Sequence, residues 1–368
     1  MTNHADELSY ASYLELDRLL SNQNRVTADS ESPAHDEMLF IIVHQVYELW
    51  FKEIINELDS VRCLFMEDYI DESQIGKAAA RLERITKIQS ILIEQVGVLE
   101  TMTPLDFLEF RDKLHPSSGF QSVQFRLIEN KLGLEQSQRV AFTKDAYYSG
   151  VSDKDISAIR KSEEEDSLFQ LLDQWLARTP FLQFEGFDFW EEYRLAVTKM
   201  LGNELKKIKN NTTLTDEIRD EEIVNHKTTN KHFEAIFSKE KHAELMEAGQ
   251  LRLSHKALHG SLMIFLHRDE PIFHLPFRLL TALIDIDELL TSWRYRHILM
   301  VQRMIGRKIG TGGSSGYRYL REAAEKYKVF GDLANLSSFL IPRSDLPELP
   351  EEFKRHLGSV SYTHLRAH

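Results

Sequence analysis

Cysteine is almost absent from this chain: Cys63 is the only one among 368 residues. That excludes an internal disulfide framework, thiolate zinc sites, four-cysteine iron–sulfur clusters and thioether attachment of a cofactor through Cys-x-x-Cys-His. A reducing cytosol suits it best. Long apolar runs are missing too. The N-terminus, MTNHADELSYASYLELDRLL, carries acidic residues and no apolar core, and no window approaches about 18 uninterrupted apolar residues, so neither a signal peptide nor a membrane span is expected. Nor is there an excess of positive charge. Against 45 Lys plus Arg stand 58 Asp plus Glu, a formal charge of −13, which repels nucleic acid and anionic membrane on average. Convincing period-two alternation is lacking, so the fold class expected is all-α, a helical bundle. At this length, beyond the roughly 250–300 residues at which single cores stop growing, two lobes or burial against other subunits is expected.

Several familiar chemistries are missing as patterns. None of the 15 histidines follows a Glu by three residues, which removes the Glu-x-x-His pairs of a di-iron bundle. His255-Lys-Ala-Leu-His259 has the spacing of a zinc helix, but Lys256 replaces the general-base Glu, so a structural pair is expected. The glycine-rich stretch Gly310-Thr-Gly-Gly-Ser-Ser-Gly316 lacks the Lys of a phosphate loop and follows a helix where a dinucleotide fingerprint needs a strand. It reads either as a linker or as a lid offering the hydroxyls of Thr311, Ser314 and Ser315.

What the sequence does hold is two long apolar stripes, each interrupted by one imidazole. Phe40, Tyr47, Phe51, Ile54, Leu58, Val61 and Phe65 mark the first at helical spacing, with His44 in its vacant slot. Leu279, Leu283, Ile286, Leu290, Trp293, Met300 and Met304 mark the second, with His297 in the slot. An unpaired imidazole on a buried face costs roughly 1–3 kcal/mol. A single one is ordinarily a core histidine bonded to a neighbour; two on separate long helices could both be satisfied by a cofactor or metal between them.

Ser32-Pro33 predicts the start of the first of these helices, with Asp36 and Glu37 at the positive end of its dipole. A third helix is expected over roughly residues 75–102, with Ile91 among its apolar positions, then a short one after Pro104 and another from Phe120 to Leu132. Pro271 and Pro276 predict a pause before the His297 helix, which stops at Gly306. The organisation expected is an N-terminal arm over 1–30, a helical core over 31–144 and 246–345, a charged helical insertion over 145–245 and a tail over 346–368, of which Ser359 to His368 fit no packing pattern.

Arg111 shares a face with Phe107, one turn earlier; it either snorkels, pairs with an acid or, in a pocket, grips a carboxylate through its planar fork. Trp293 and Phe40 lie one turn from His297 and His44 and would supply flat walls. A planar macrocycle between apolar helices, held by one imidazole and approached by another, makes haem the leading cofactor, without deciding which histidine is which.

Four stretches, His35-Asp-Glu-Met-Leu-Phe-Ile-Ile-Val-His-Gln-Val-Tyr-Glu-Leu-Trp50, Pro116-Ser-Ser-Gly-Phe-Gln-Ser122, Trp293-Arg-Tyr-Arg-His297 and Gly310-Thr-Gly-Gly-Ser-Ser-Gly-Tyr317, resemble the tryptophan 2,3-dioxygenase family, in order, from about Tyr10 to Pro342. The charged insertion is similar to that of its longer, animal-type members. The resemblance implies a cytoplasmic, homotetrameric, all-α enzyme with one haem b per subunit that cleaves the indole C2–C3 bond of L-tryptophan with O2, giving N-formyl-L-kynurenine, the first step of the kynurenine route. It implies that His297 is the proximal iron ligand and His44 the distal histidine. Arg111 would grip the substrate carboxylate, Thr311 would contact its ammonium and carboxylate, and Phe40 and Phe107 would wall the indole. Trp293, Ser118 and Gly119 would lie against the haem. Tyr10 and Tyr13 would reach into a neighbouring subunit's site. Trp175, Arg178 and Pro180 match a second, remote tryptophan site seen in some members. A related haem oxygenase for another indole or for tyrosine, and a haem-binding sensor without catalysis, remain the rival readings.

Overall fold

The computed structural model describes residues 8–67, 70–139, 148, 150–178, 183–184, 187–306 and 316–351. In chain order the helices are α1 (Tyr10–Tyr13), α2 (Leu16–Leu19), α3 (Glu37–Phe65), α4 (Glu72–Leu99), α5 (Pro104–Arg111), α6 (Val123–Leu132), α7 (Asp153–Glu164), α8 (Leu168–Ala177), α9 (Phe189–Asn210), α10 (Asp216–Phe237), α11 (Lys239–Glu247), α12 (His255–Leu266), α13 (Pro271–Ile305), α14 (Gly316–Lys326) and α15 (Gly331–Asn335). Among the described residues the only ladder is a two-residue antiparallel pair, β1 (Gln183–Phe184) with β2 (Phe187–Asp188). The fold is all-α, as the patterning requires. None of the described helices is long and apolar enough to cross a membrane.

Three long helices make the frame. The 35 residues of α13, about 50 Å at 1.5 Å per residue, lie along α4, and α4 lies along α3. The first stripe is buried as expected from Tyr47 to Phe65, and the second from Leu279 to Leu290. Ile91 departs from expectation: it points to solvent, because the buried face of α4 is narrower than its apolar content and is already filled by Leu82, Ile85, Ile88, Leu92 and Val96. Side chains lock the three helices in register: Tyr47 donates to the Leu92 carbonyl at 2.6 Å, Gln95 to that of Val43 at 3.0 Å and Gln89 to that of Ile286 at 3.2 Å.

The start of α3 also differs from the sequence expectation. It begins at Glu37, not at Pro33, because the Glu37 carboxylate is buried and accepts from the backbone N–H groups of Val26 (2.6 Å) and Thr27 (3.0 Å) and from the Thr27 hydroxyl. Thr27 Oγ1 in turn accepts from Ala34 N at 3.0 Å, which commits residues 27–36 to a loop. The N-terminal arm holds two short helices, α1 and α2, parted by Glu15 at φ 48°, and its Tyr10 and Tyr13 are exposed. Pro276, in contrast, does not interrupt α13. It sits in the second turn, where its missing N–H costs one helical bond, and Pro271 occupies the first position, where no donor is needed.

Residues 145–245 divide in their packing. Leu168, Phe169, Leu171, Leu172 and Leu176 of α8 enter the main core against α12 and α3, while α9 pairs with α10 and carries most of the charge outward. Gly133, which ends α6, is required at the α6–α8 junction: its φ is 122°, and a Cβ there would lie 2.6 Å from Phe169 Cβ. The His255 and His259 pair is structural, as expected: both Nε2–H groups donate to the Ile236 carbonyl, at 2.9 and 2.6 Å.

Candidate active site

A second, smaller apolar cluster forms where the start of α3, α5 and the end of α13 meet. Ala34, Met102, Phe110 and Met304 are its buried members, and Phe40, Phe107, Leu114 and Met300 pack around them. Here both stripes open. Past Tyr47 toward the N-terminus, α3 presents Phe40 half-buried and His44 accessible to solvent; past Leu290, α13 presents Trp293, His297 and Met300 half-buried. Accessibility thus rises along both otherwise buried faces toward this end of the two helices.

On the α3 wall, the Phe40 ring lies 4.1 Å from the His44 ring, 5.8 Å from Phe107 in a stacked arrangement and 5.5 Å from Phe110 edge-on. His44 Nδ1 is 2.7 Å from the Phe40 carbonyl oxygen. A carbonyl can only accept, so Nδ1 carries the proton and Nε2 is left as an acceptor. Burial lowers the His44 pKa, an effect opposed by that hydrogen bond and by the charge of Glu48. The ring is therefore neutral at pH 7 while still reachable from solvent.

On the α13 wall, Trp293 and His297 are parallel to within 2° with centroids 5.4 Å apart. Trp293 is held from behind by Phe125 of α6 at 5.1 Å and by Tyr47 of α3 at 6.2 Å, and with Phe51, Ile54, Leu92 and Leu290 it lines a small apolar void in the core. Burial, and secondarily the charge of His44, lowers the pKa of His297 to about 4, so its imidazole is neutral at pH 7. No hydrogen bond to a described residue occupies either nitrogen of His297. A neutral imidazole with an unengaged nitrogen is the form that ligates a metal. Among the described residues no group of three or more His, Cys, Asp or Glu side chains could hold a metal ion.

Arg111 ends α5 one turn beyond Phe107 and is largely buried, with its guanidinium 3.8 Å from the exposed carboxylate of Asp112. Ser118 caps the single 3-10 turn Gly119–Gln121, its hydroxyl accepting from Phe120 N at 3.4 Å while its own N–H donates to Gln121 Oε1 at 3.2 Å. Gly119 has ordinary backbone angles, and a Cβ on it would meet nothing of the protein within 4 Å. That loop is tied to the α3 wall by Glu48, which accepts from Ser122 Oγ at 2.6 Å and from Gln124 Nε2 at 2.8 Å. Sequence reasoning missed Glu48, although it lies one turn past His44; Glu48 does not belong to the apolar stripe, and its partners are more than 70 residues away.

The structure thus groups Phe40 with His44 and Phe107 on α3 and α5, and Trp293 with His297 on α13. Tyr10 and Tyr13 stand on the outside of this chain, 77% and 70% exposed. Thr311 and Pro180 lie outside the described residues. Trp175 is half-buried against Phe65, ring centroids 5.5 Å apart, and Arg178 donates to the Gln174 carbonyl at 3.3 Å.

The chain matches the family described as Tryptophan 2,3-dioxygenase over residues 2–340. A protein of that name from Bdellovibrio bacteriovorus is 51% identical over 342 residues, covering 93% of this chain and 95% of that one. One from Dictyostelium discoideum is 50% identical over 349 residues, with 95% and 87% covered, and one from Xenopus tropicalis is 46% identical over 352 residues, with 95% and 86% covered. With a match spanning nearly the whole chain and relatives this similar in bacteria, an amoeba and an animal, the chain belongs to the tryptophan 2,3-dioxygenase family.

Proposed function

We propose that the cleft between α3 and α13 is the active site of a haem-dependent dioxygenase that opens the indole C2–C3 bond of L-tryptophan with O2, yielding N-formyl-L-kynurenine, the first step of tryptophan breakdown. The observation that carries the reading is the pair of neutral imidazoles on α3 and α13, His297 stacked on Trp293 and without a hydrogen bond to any described residue, His44 with Nε2 left as acceptor. The residues fit a haem. A porphyrin would bring four nitrogens of its own, so a single imidazole could suffice as the protein ligand, and Phe40, Phe107 and Trp293 offer flat apolar rings. His297 would be the iron ligand, and Trp293, Ser118 and Gly119 would lie against the macrocycle.

Haem supplies, when bound, the iron and O2 chemistry that no protein side chain offers. The rest is binding and orientation by this chain's own residues. Arg111 pairs with the substrate carboxylate through a bidentate fork, and Thr311 adds contacts to the ammonium and carboxylate. Phe40 and Phe107 wall the indole and keep water from its face. His44 Nε2 accepts from the indole N–H and fixes the tilt of the ring. A neutral indole N–H is a very weak acid, so His44 positions the substrate and does not deprotonate it.

Tyr10 and Tyr13, with Leu14 and Leu20 exposed beside them, suit an arm that completes a neighbouring subunit's site in a homotetramer. Exposed Ile91 and Val98 on α4 and Leu299 on α13 suit burial against other copies. The single cysteine and the acidic balance suit a cytoplasmic setting. Trp175 and Arg178 are retained as candidates for the remote tryptophan site. Aerobic assay of the reduced, haem-loaded protein with L-tryptophan, 3-methylindole and tyrosine tests the reading. N-formylkynurenine from tryptophan alone supports it, while turnover of another substrate or of none overturns it.

A further inference from the structure

We infer that the buried pair Glu129 and Arg294 is a positioning device that sets how the His297 imidazole is presented to haem, an inference that rests on the haem reading of the cleft. Arg294 of α13 donates through Nη2 to Glu129 Oε1 of α6 at 2.8 Å, and the two side chains are 8% and 9% exposed. Its Nη1 donates to the Tyr327 carbonyl at 3.0 Å, and its guanidinium lies over the Tyr327 ring at 5.3 Å. The fork thereby ties α13 to α6 and to the chain after α14 at once.

An ion pair buried this deeply is a poor source of stability, because desolvating two charges offsets their attraction and apolar side chains of the same volume pack as well. What a fork provides that apolar residues do not is direction. The direction matters at this point of α13. Trp293 and His297 flank Arg294 on consecutive turns, and Phe125, one turn before Glu129 on α6, meets Trp293 at 5.1 Å. A rotation of α13 about its axis, which a stripe of Leu and Ile tolerates, would break the Glu129 bond and separate Phe125 from Trp293 together.

Metal-bound imidazoles are usually oriented by a carboxylate or carbonyl on their second nitrogen. His297 has no such partner among the described residues; the parallel stack on Trp293 is the contact that orients it. The plane of the ligand ring is therefore set by Trp293, and the rotation of Trp293 by the Glu129 and Arg294 pair.

The test compares the parent with R294K, which keeps the charge but cannot form both hydrogen bonds, and with E129L/R294M, which removes both charges at similar volume. Each is loaded with haem b and read in two ways: the iron–histidine stretching band of the ferrous form by resonance Raman, and transfer of ferric haem to apomyoglobin. We expect both variants to keep helical circular dichroism and a melting temperature within about 5 °C of the parent. We expect a shifted or split iron–histidine band and haem transfer faster by about tenfold or more, the size of loss typical when a ligand's orienting shell is removed. The KM for tryptophan should stay within about twofold, since Arg111 stands on a different helix. Folded variants with the parent's band and transfer rate overturn the inference, and should the double variant not fold, R294K alone decides by the same two readouts. A parent that shows no iron–histidine band overturns the haem reading itself, which keeps the two failures distinct.

Discussion

Replacing His44 by Ser isolates the one hydrogen bond on which the orientation of the indole would depend in the proposed site. With Nδ1 committed to the Phe40 carbonyl at 2.7 Å, only Nε2 can meet the substrate, and burial keeps it unprotonated. A neutral hydrogen bond contributes about 0.5–1.5 kcal/mol net, and leaving its donor buried and unpaired raises the loss to about 1–3 kcal/mol, or roughly five- to 150-fold in kcat/KM. Haem content should not change, because on the proposed reading His297, not His44, would hold the iron. Steady-state turnover of His44→Ser should therefore fall by one to two orders of magnitude at parent haem occupancy. A second arm makes the assignment specific. The benzofuran analogue of tryptophan has the same shape and no N–H, so His44→Ser should weaken tryptophan binding to the ferric enzyme about fivefold or more while leaving the analogue's affinity nearly unchanged. Equal losses for both ligands, or unchanged kinetics, would show that His44 does not act through the indole N–H.

Arg111→Leu removes a bidentate, charge-assisted contact of about 2–4 kcal/mol and should lower kcat/KM for tryptophan roughly 30- to 1,000-fold, mainly through KM, with Arg111→Lys recovering part of it; an unaltered KM would place the carboxylate elsewhere. His259 concerns stability. Burial holds its pKa at about 4, against 6.5 ordinarily, beside His255, His242 and Lys239, with Glu240 near His255 and Asp173 and Asp332 near His242. The folded protein keeps it neutral while the unfolded chain takes up a proton. Stability is accordingly unaffected above pH 6.5 and lost as the pH falls from there toward 4, by up to about 3 kcal/mol for this residue, with His242 and His255 shifted in the same direction. Urea midpoints should drop between pH 7 and pH 5, and less steeply in His259→Phe; a pH-independent midpoint contradicts the assignment.

The frame was legible because α3 and α13 bury one face along most of their length, so the contrast between apolar and polar positions follows the helical period. The same contrast pointed to the candidate site: an imidazole in an apolar slot is conspicuous, and both His44 and His297 stand where the buried face becomes accessible. What was not legible was set by contacts distant in sequence. Thr27 decides where α3 starts by engaging Glu37. Glu48 fastens a loop more than 70 residues away. Arg294 is bound to a partner 165 positions earlier, which no local pattern reveals. Pro276 misled for a local reason, since a proline in the second turn forfeits a single helical bond and tertiary packing along α4 outweighs it.

The ligand assignment at residue 297 is tested most directly by measuring haem stoichiometry and the reduced-state spectrum of His297→Ala beside the parent. The account predicts one haem per chain and an iron–histidine signature in the parent, and in the variant the loss of stably held haem together with the loss of formylkynurenine production. A variant that retained parental haem content, spectrum and turnover would contradict it.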